Sequence, residues 1–240
     1  SMTSLPSSGP ALERSAEQGA EAAVAHAGDQ GIALAVLGMI AYGELAEFTR
    51  LAADSALAPT LTARLEVSRL AQVARTRLDR VSARIVELGG DVERTMEPFA
   101  GVLVEFDQRT EPSTWWERLL KGYVGYGVSD DFARTLADGL DPASRAVVLE
   151  VLADDGHAGM VIDALAAEAE ADPTLTARSA LWCRRLFGES LGVVQRVIAD
   201  HGELQRLLGT VVGTEDAQQR MFNQLTAEHS RRMDRLRLAA

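Results

Sequence analysis

From about residue 28 onward, apolar residues recur at spacings of three and four, the period of amphipathic helices, and strand-like alternation is nearly absent. Pro and Gly clusters fall between the periodic segments, where breakers belong. The spacing predicts a first helix from Asp29 to Asp54, with Ala33, Leu37, Ile40, Phe48 and Leu51 on its stripe. After the break "ALAPTL" a second helix runs from Thr60 to Leu88 and closes on Gly89-Gly90, a C-capping pair. Residues 91–112 lack a clear period and are long enough for a crossover between helix pairs. A third helix starts at Ser113 as N-cap and ends near Gly139. A fourth is opened by Asp141 and Pro142 and reaches Ala171. "DPTLTARSALW" opens a fifth, ending near Gly202. Its "PTLTAR" repeats residues 59–64, which predicts the same N-terminal capping used twice. A short helix at 203–208 and a last one at 215–238 complete the chain. The pattern therefore predicts an all-α protein, with residues 1–27 as a flexible N-terminal segment and 28–240 as one helical domain.

Some polar residues fall on these apolar stripes. Glu44 sits on the first and Arg77 lies close to the second. A carboxylate in such a position needs a partner, because burying it unpaired is costly. In "LADDGHAGM", Asp154 and His157 are three apart and would share one face of the fourth helix. Bundles that hold two irons take a carboxylate from each of two helices and a Glu-x-x-His pair from each of the other two. Glu44, Asp154 and His157 supply part of that set, with Glu189 on the fifth helix as a further candidate ligand. The second helix offers Ala74 and Arg77 where a Glu-x-x-His is needed, and the third offers Tyr126 where an acid is needed. The alternative is a metal-free core in which Arg77 or Arg75 pairs with Glu44 or Asp154. Asp130 or Asp131 could move in to supply the acid needed on the third helix, but each reads as an exposed helix acid, and His26, His201 and His229 read as surface residues. Trp115, Trp116, Tyr123 and Tyr126 are core aromatics or the lining of a pocket for a flat ligand. Gly122, Gly125 and Gly127 beside them point to close helix packing or a local irregularity.

The segments "GMIAYGELAEFTRLAADSALAPTL", "GYVGYGVSDDF", "LEVLADDGHA" and "LFGESLGVVQRV" resemble the actinobacterial ferritin-like proteins related to tRNA 2-methylthio-N6-isopentenyladenosine hydroxylases. The resemblance covers roughly residues 28–238. It implies a ferritin-like four-helix bundle with additional C-terminal helices, and a non-haem di-iron site for oxygen-dependent hydroxylation. Glu44, Asp154 and His157 match carboxylate and histidine positions of that pattern, whereas Ala74, Arg77 and Tyr126 depart from it. The expectation is a family member that has lost its di-iron centre and acts as a non-catalytic binding or scaffold protein. The alternative is a working di-iron oxygenase. No cofactor is expected in the first case, and iron in the second.

Composition narrows the partners. The net charge of −11 argues against a chain-wide nucleic-acid surface, which needs a basic footprint. tRNA stays as a partner only for the oxygenase alternative, and a protein or small molecule is expected otherwise, with a homodimer through exposed apolar faces. The basic C-terminal run "HSRRMDRLRLAA" reads as a solvated helix face, favoured by the helix dipole. A lone cysteine, Cys183, excludes an internal disulfide framework and fits a reducing cytoplasm. No signal-peptide core and no run of about 18 apolar residues is expected to engage a membrane. No phosphate-binding glycine loop, nucleophile elbow or activated cysteine is present.

Overall fold

The computed structural model describes residues 9–238, omitting the side chains of residues 24–27. Among the described residues there is no strand. The long helices are α1 (Pro10–Ser55), α2 (Leu61–Glu87), α5 (Trp115–Ala137) and α8 (Pro173–Asp200). Between α2 and α5 the crossover folds into α3 (Val92–Met96), a 3-10 turn (Glu97–Phe99) and α4 (Val104–Arg109). Two shorter helices, α6 (Pro142–Val151) and α7 (His157–Ala169), precede α8, and α9 (Gly202–Val212) and α10 (Ala217–Arg235) follow it.

Local chemistry sets the helix ends. Thr60 caps α2 by accepting from the Ala63 amide at 3.1 Å. Gly89 closes α2 in the left-handed region (φ +79). The Gly89 and Gly90 amides then donate back to the carbonyls of Val86 and Ile85, satisfying carbonyls that the helix leaves open. Thr114, not Ser113, caps α5 by accepting from the Glu117 amide, and Ser113 holds the Glu117 carboxylate. The two "PTLTAR" copies behave differently. In the second, Asp172 takes the cap by accepting from Thr174, so Thr174 already lies inside α8. A better capping side chain two residues earlier displaces the threonine.

Helix α1 begins at Pro10, well upstream of the expected Asp29, and residues 10–23 are exposed. An 18-residue window of α1 reaches a mean hydropathy of 1.5, long and apolar enough to cross a membrane by composition alone. Ala33, Val36, Leu37, Ile40 and Ala41 in this helix are core residues, which accounts for much of that composition.

The expected fourth helix is broken. Residues 152–156 separate α6 from α7 because "DDG" is turn chemistry. The Asp154 carboxylate accepts from the Gly156 amide, that of Asp155 accepts from the His157 amide (both 2.9 Å), and Gly156 takes φ +85. Helices α1 and α5 pack against each other. Helix α2 pairs extensively with α1, and α6 packs on both α2 and α5. On the other side lies α8, which pairs with α5, together with the crossover segment.

Candidate functional site

Helices α1 and α5 bring together acids that the sequence leaves far apart. Glu44 and Glu47, one turn apart on α1, line a small cavity of about 30 Å³ with Asp130 of α5. Both glutamates are buried. Leu152, Tyr126, Ser129, Met39 and Gly43 are among the other walls. Beside this cavity, Arg77 of α2 reaches the 152–156 turn. Its Nη1 is 3.7 Å from the Asp155 carboxylate, and its Nη2 donates to the Ala153 carbonyl. Both side chains of the pair are nearly buried, at 12% and 14% exposed.

Acids outnumber cations here. Burial pushes the Glu44 carboxyl up to about 8, with Asp130 and Asp155 acting in the same direction. Arg77 and a hydrogen bond with Glu47 pull it back only in part. Glu47 is also held well above the usual carboxylate range, by burial first and then by Glu44 and Asp130. Burial raises Asp130 to about 7 despite Arg77 and Arg134. Burying carboxylates near one another favours their neutral forms, so the cavity retains protons near neutral pH. Glu44 lines the cavity, and its Oε2 is buried without a hydrogen-bond partner among the described residues, whereas the Tyr126 hydroxyl interacts with Arg50. His157, buried at the start of α7, packs against Tyr126 with ring centroids 5.8 Å apart. Burial lowers its pKa, with Asp155 opposing and Arg77 reinforcing the shift. Gly122 leaves room for this histidine: a Cβ there would sit 3.3 Å from the imidazole.

A second, mostly apolar pocket of about 100 Å³ adjoins the first. Met39, Gly43, Tyr126 and Ser129 border both. Phe99, Phe106, Val128 and Phe132 make its body, and Arg50 stands at its edge, 5.8 Å from the Tyr126 ring and paired with Asp107.

The residues singled out from sequence divide accordingly. Glu44 and Arg77 lie in or beside the cluster, and His157 borders it through Tyr126. Asp154 does not join it: its side chain faces the Gly156 amide and the residue is exposed, while its neighbour Asp155 faces Arg77. The helical register assumed for Asp154 fails because the helix stops at Val151. Glu189 lies elsewhere on α8, 3.8 Å from Arg109. Arg75 pairs with Asp79 in solvent. Asp130 and Asp131 are half-buried rather than exposed. His229 is buried, stacked on Phe187 with centroids 3.9 Å apart. His201 is half-buried on Phe99, each ring nitrogen facing a carbonyl, of Val197 and of Pro98. His26 lies outside the described side chains. Of the four aromatics, Tyr126 borders both cavities, whereas Tyr123 donates its hydroxyl proton to the Arg232 carbonyl at 2.7 Å.

The sequence reading passed over Glu47 and Asp155. Glu47 is one turn from Glu44 and shares its face. Asp155 precedes a glycine, and an Asp-Gly turn re-aims both aspartates of "DDG".

A family profile described as the ferritin-like domain of actinomycetes matches residues 29–211. The chain belongs to this family. The match spans α2 to α8, nearly all of α9, and the part of α1 that carries Glu44 and Glu47, so this ferritin-like domain contains the whole acid cluster. No curated protein matches the sequence significantly.

Proposed function

We propose that this ferritin-like domain works without a di-iron centre, as a non-catalytic protein whose interior binds a small molecule. The observation that carries the reading is Arg77. Its guanidinium lies beside the buried acids, as the built-in counter-charge to Asp155. Paired Fe(II) ions would bring four positive charges to the same carboxylates, and a fixed guanidinium there opposes them electrostatically. The donor set points the same way. Helix α2 supplies Ala74 and Arg77 in place of a carboxylate–histidine pair, and Asp154 faces a backbone amide. Among the described residues, no three His, Cys, Asp or Glu side chains are grouped so as to hold a metal ion. These residues do not fit a di-iron centre.

What remains beside the acids is an apolar pocket. Ligand sites have this combination of apolar walls with a few convergent polar groups. The hydroxylase kinship suggested by the sequence would require bound iron, so one measurement separates the readings. Protein purified from iron-supplemented cells is expected to carry far less than one iron per chain by elemental analysis. Two irons per chain, with the near-ultraviolet band of an oxo-bridged diferric centre, would end the proposal in favour of an oxygenase.

A further inference from the structure

Resting on the ligand-binding reading above, we infer that the acid cavity and the adjoining apolar pocket form one bipartite site for a small primary amine, its ammonium among Glu44, Glu47 and Asp130 and its apolar body among Phe99, Phe106 and Phe132.

The first argument is an unmet acceptor. Glu44 is 3% exposed, yet its Oε2 has no donor, and the carboxyl borders a cavity of about 30 Å³. A buried acceptor left unpaired is costly, so such an atom marks a position for a donor. An ammonium brings three N–H donors and accepts nothing, which suits a cavity walled by carboxyls.

The second argument is charge. Glu44, Glu47, Asp130 and Asp155 act on one another, and Arg77 is the cation that acts on all three of the cavity acids. A monovalent cation takes the place of the protons that burial holds on these carboxyls, without the convergent ligand geometry a metal needs. A neutral or anionic head group does not.

The third argument is the shape of the boundary. Gly43 lies inside α1, where glycine is less favourable than alanine. It borders both cavities, and a Cβ built on it would meet nothing within 4 Å. The missing side chain leaves the space between the carboxyls and the phenylalanines unfilled. The apolar pocket holds about 100 Å³. An engineered apolar cavity of about 150 Å³ takes up benzene, so the occupant has one ring or a short alkyl chain. A water alone fills the smaller cavity and leaves the larger one unexplained.

The test titrates the full-length protein with benzylamine, benzyl alcohol and toluene at pH 7.5, followed by calorimetry and by ligand-observed NMR. Benzylamine is expected to bind at least tenfold more tightly than benzyl alcohol. Glu44→Gln should erase that preference while leaving toluene binding intact, and Asp130→Asn should reduce it should Glu44→Gln fail to fold. Gly43→Leu, which fills the junction, should abolish binding of all three with an unchanged helical circular dichroism spectrum. Equal affinity for the amine and the alcohol would overturn the amine assignment and leave the ligand-binding reading standing. Failure of all three probes to bind folded protein would remove both. Binding that survives Gly43→Leu would move the site elsewhere and overturn the inference.

Discussion

Asp130 and Asp131 are neighbours on α5 and meet opposite surroundings. Asp131 faces α10, where Arg232 donates to its carboxylate at 2.8 Å and both side chains are only 10% exposed. Arg232 reaches it by passing over Gly127, where a Cβ would collide with the guanidinium. Burial still raises Asp131, but its own cation and the hydrogen bond from it pull the other way. Asp130 faces α1 and shares a cavity with Glu44 and Glu47. Among the described residues no cation is within salt-bridge distance of Asp130. The first arrangement pairs the buried carboxylate with a cation of its own, so removing either partner strands a charge. The second leaves carboxyls protonated and one oxygen unpartnered, which is poor for stability and suited to receiving a cation. Natural proteins tolerate such local inconsistency mainly at functional sites.

The sharpest way to break this contrast is to remove the cation on each side. Arg232→Ala leaves the Asp131 carboxylate with only the longer contact from Arg134, at 3.4 Å, and should cost about 3 kcal/mol in chemical denaturation. A loss under about 1 kcal/mol would show that the pair is no more than a surface contact. Arg77→Ala should cost less, about 2 kcal/mol, because its pair with Asp155 is looser and the cavity acids can take up protons instead. Its cost should grow between pH 6 and pH 8.5, and a pH-independent loss would contradict the shared cluster.

The pH dependence itself comes next in size. Glu44 and Asp130 have folded pKa values raised to about 8 and about 7, above their ordinary 4.5 and 3.8. The folded state therefore binds more protons than the unfolded chain, and the stability this provides is lost as pH rises through 7 and 8. Burial lowers His157, and lowers His229 to about 4, and these groups act below the ordinary histidine value of 6.5. Stability should consequently fall between pH 6.5 and about 8 and level off above, by up to about 1.4 kcal/mol per pH unit for each extra proton the folded state holds, with the melting temperature following it. Glu44→Gln should flatten that fall and stabilise the protein at pH 9. A wild-type profile flat across this window would remove the protonated cluster. The smallest effect is expected at Arg75→Ala, which breaks a solvent-exposed pair and should change stability by no more than about 0.5 kcal/mol.

Helix content, the crossover and the capping of α2 and α6 were legible in the chain because each rests on local rules. Apolar spacing marked the core faces of α1 and α2, Gly89-Gly90 marked an end, and Asp141 with Pro142 marked a start. Glu44 and Arg77 stood out because charged residues on or beside an apolar stripe are anomalous wherever the stripe goes. The break at 152–156 was written in "DDG" but outweighed by the valines and leucines on either side, and that turn decides which aspartate meets Arg77. Periodicity cannot say whether a helix acid faces solvent, an arginine or another acid, since that depends on which helix lies opposite. The sequence by itself determined an all-α chain with charge on its buried faces. Only the packing of α5 between α1 and α10 decided that Asp131 would be neutralised and Asp130 would not, because pairing requires atoms a few ångströms apart that lie about a hundred residues away along the chain.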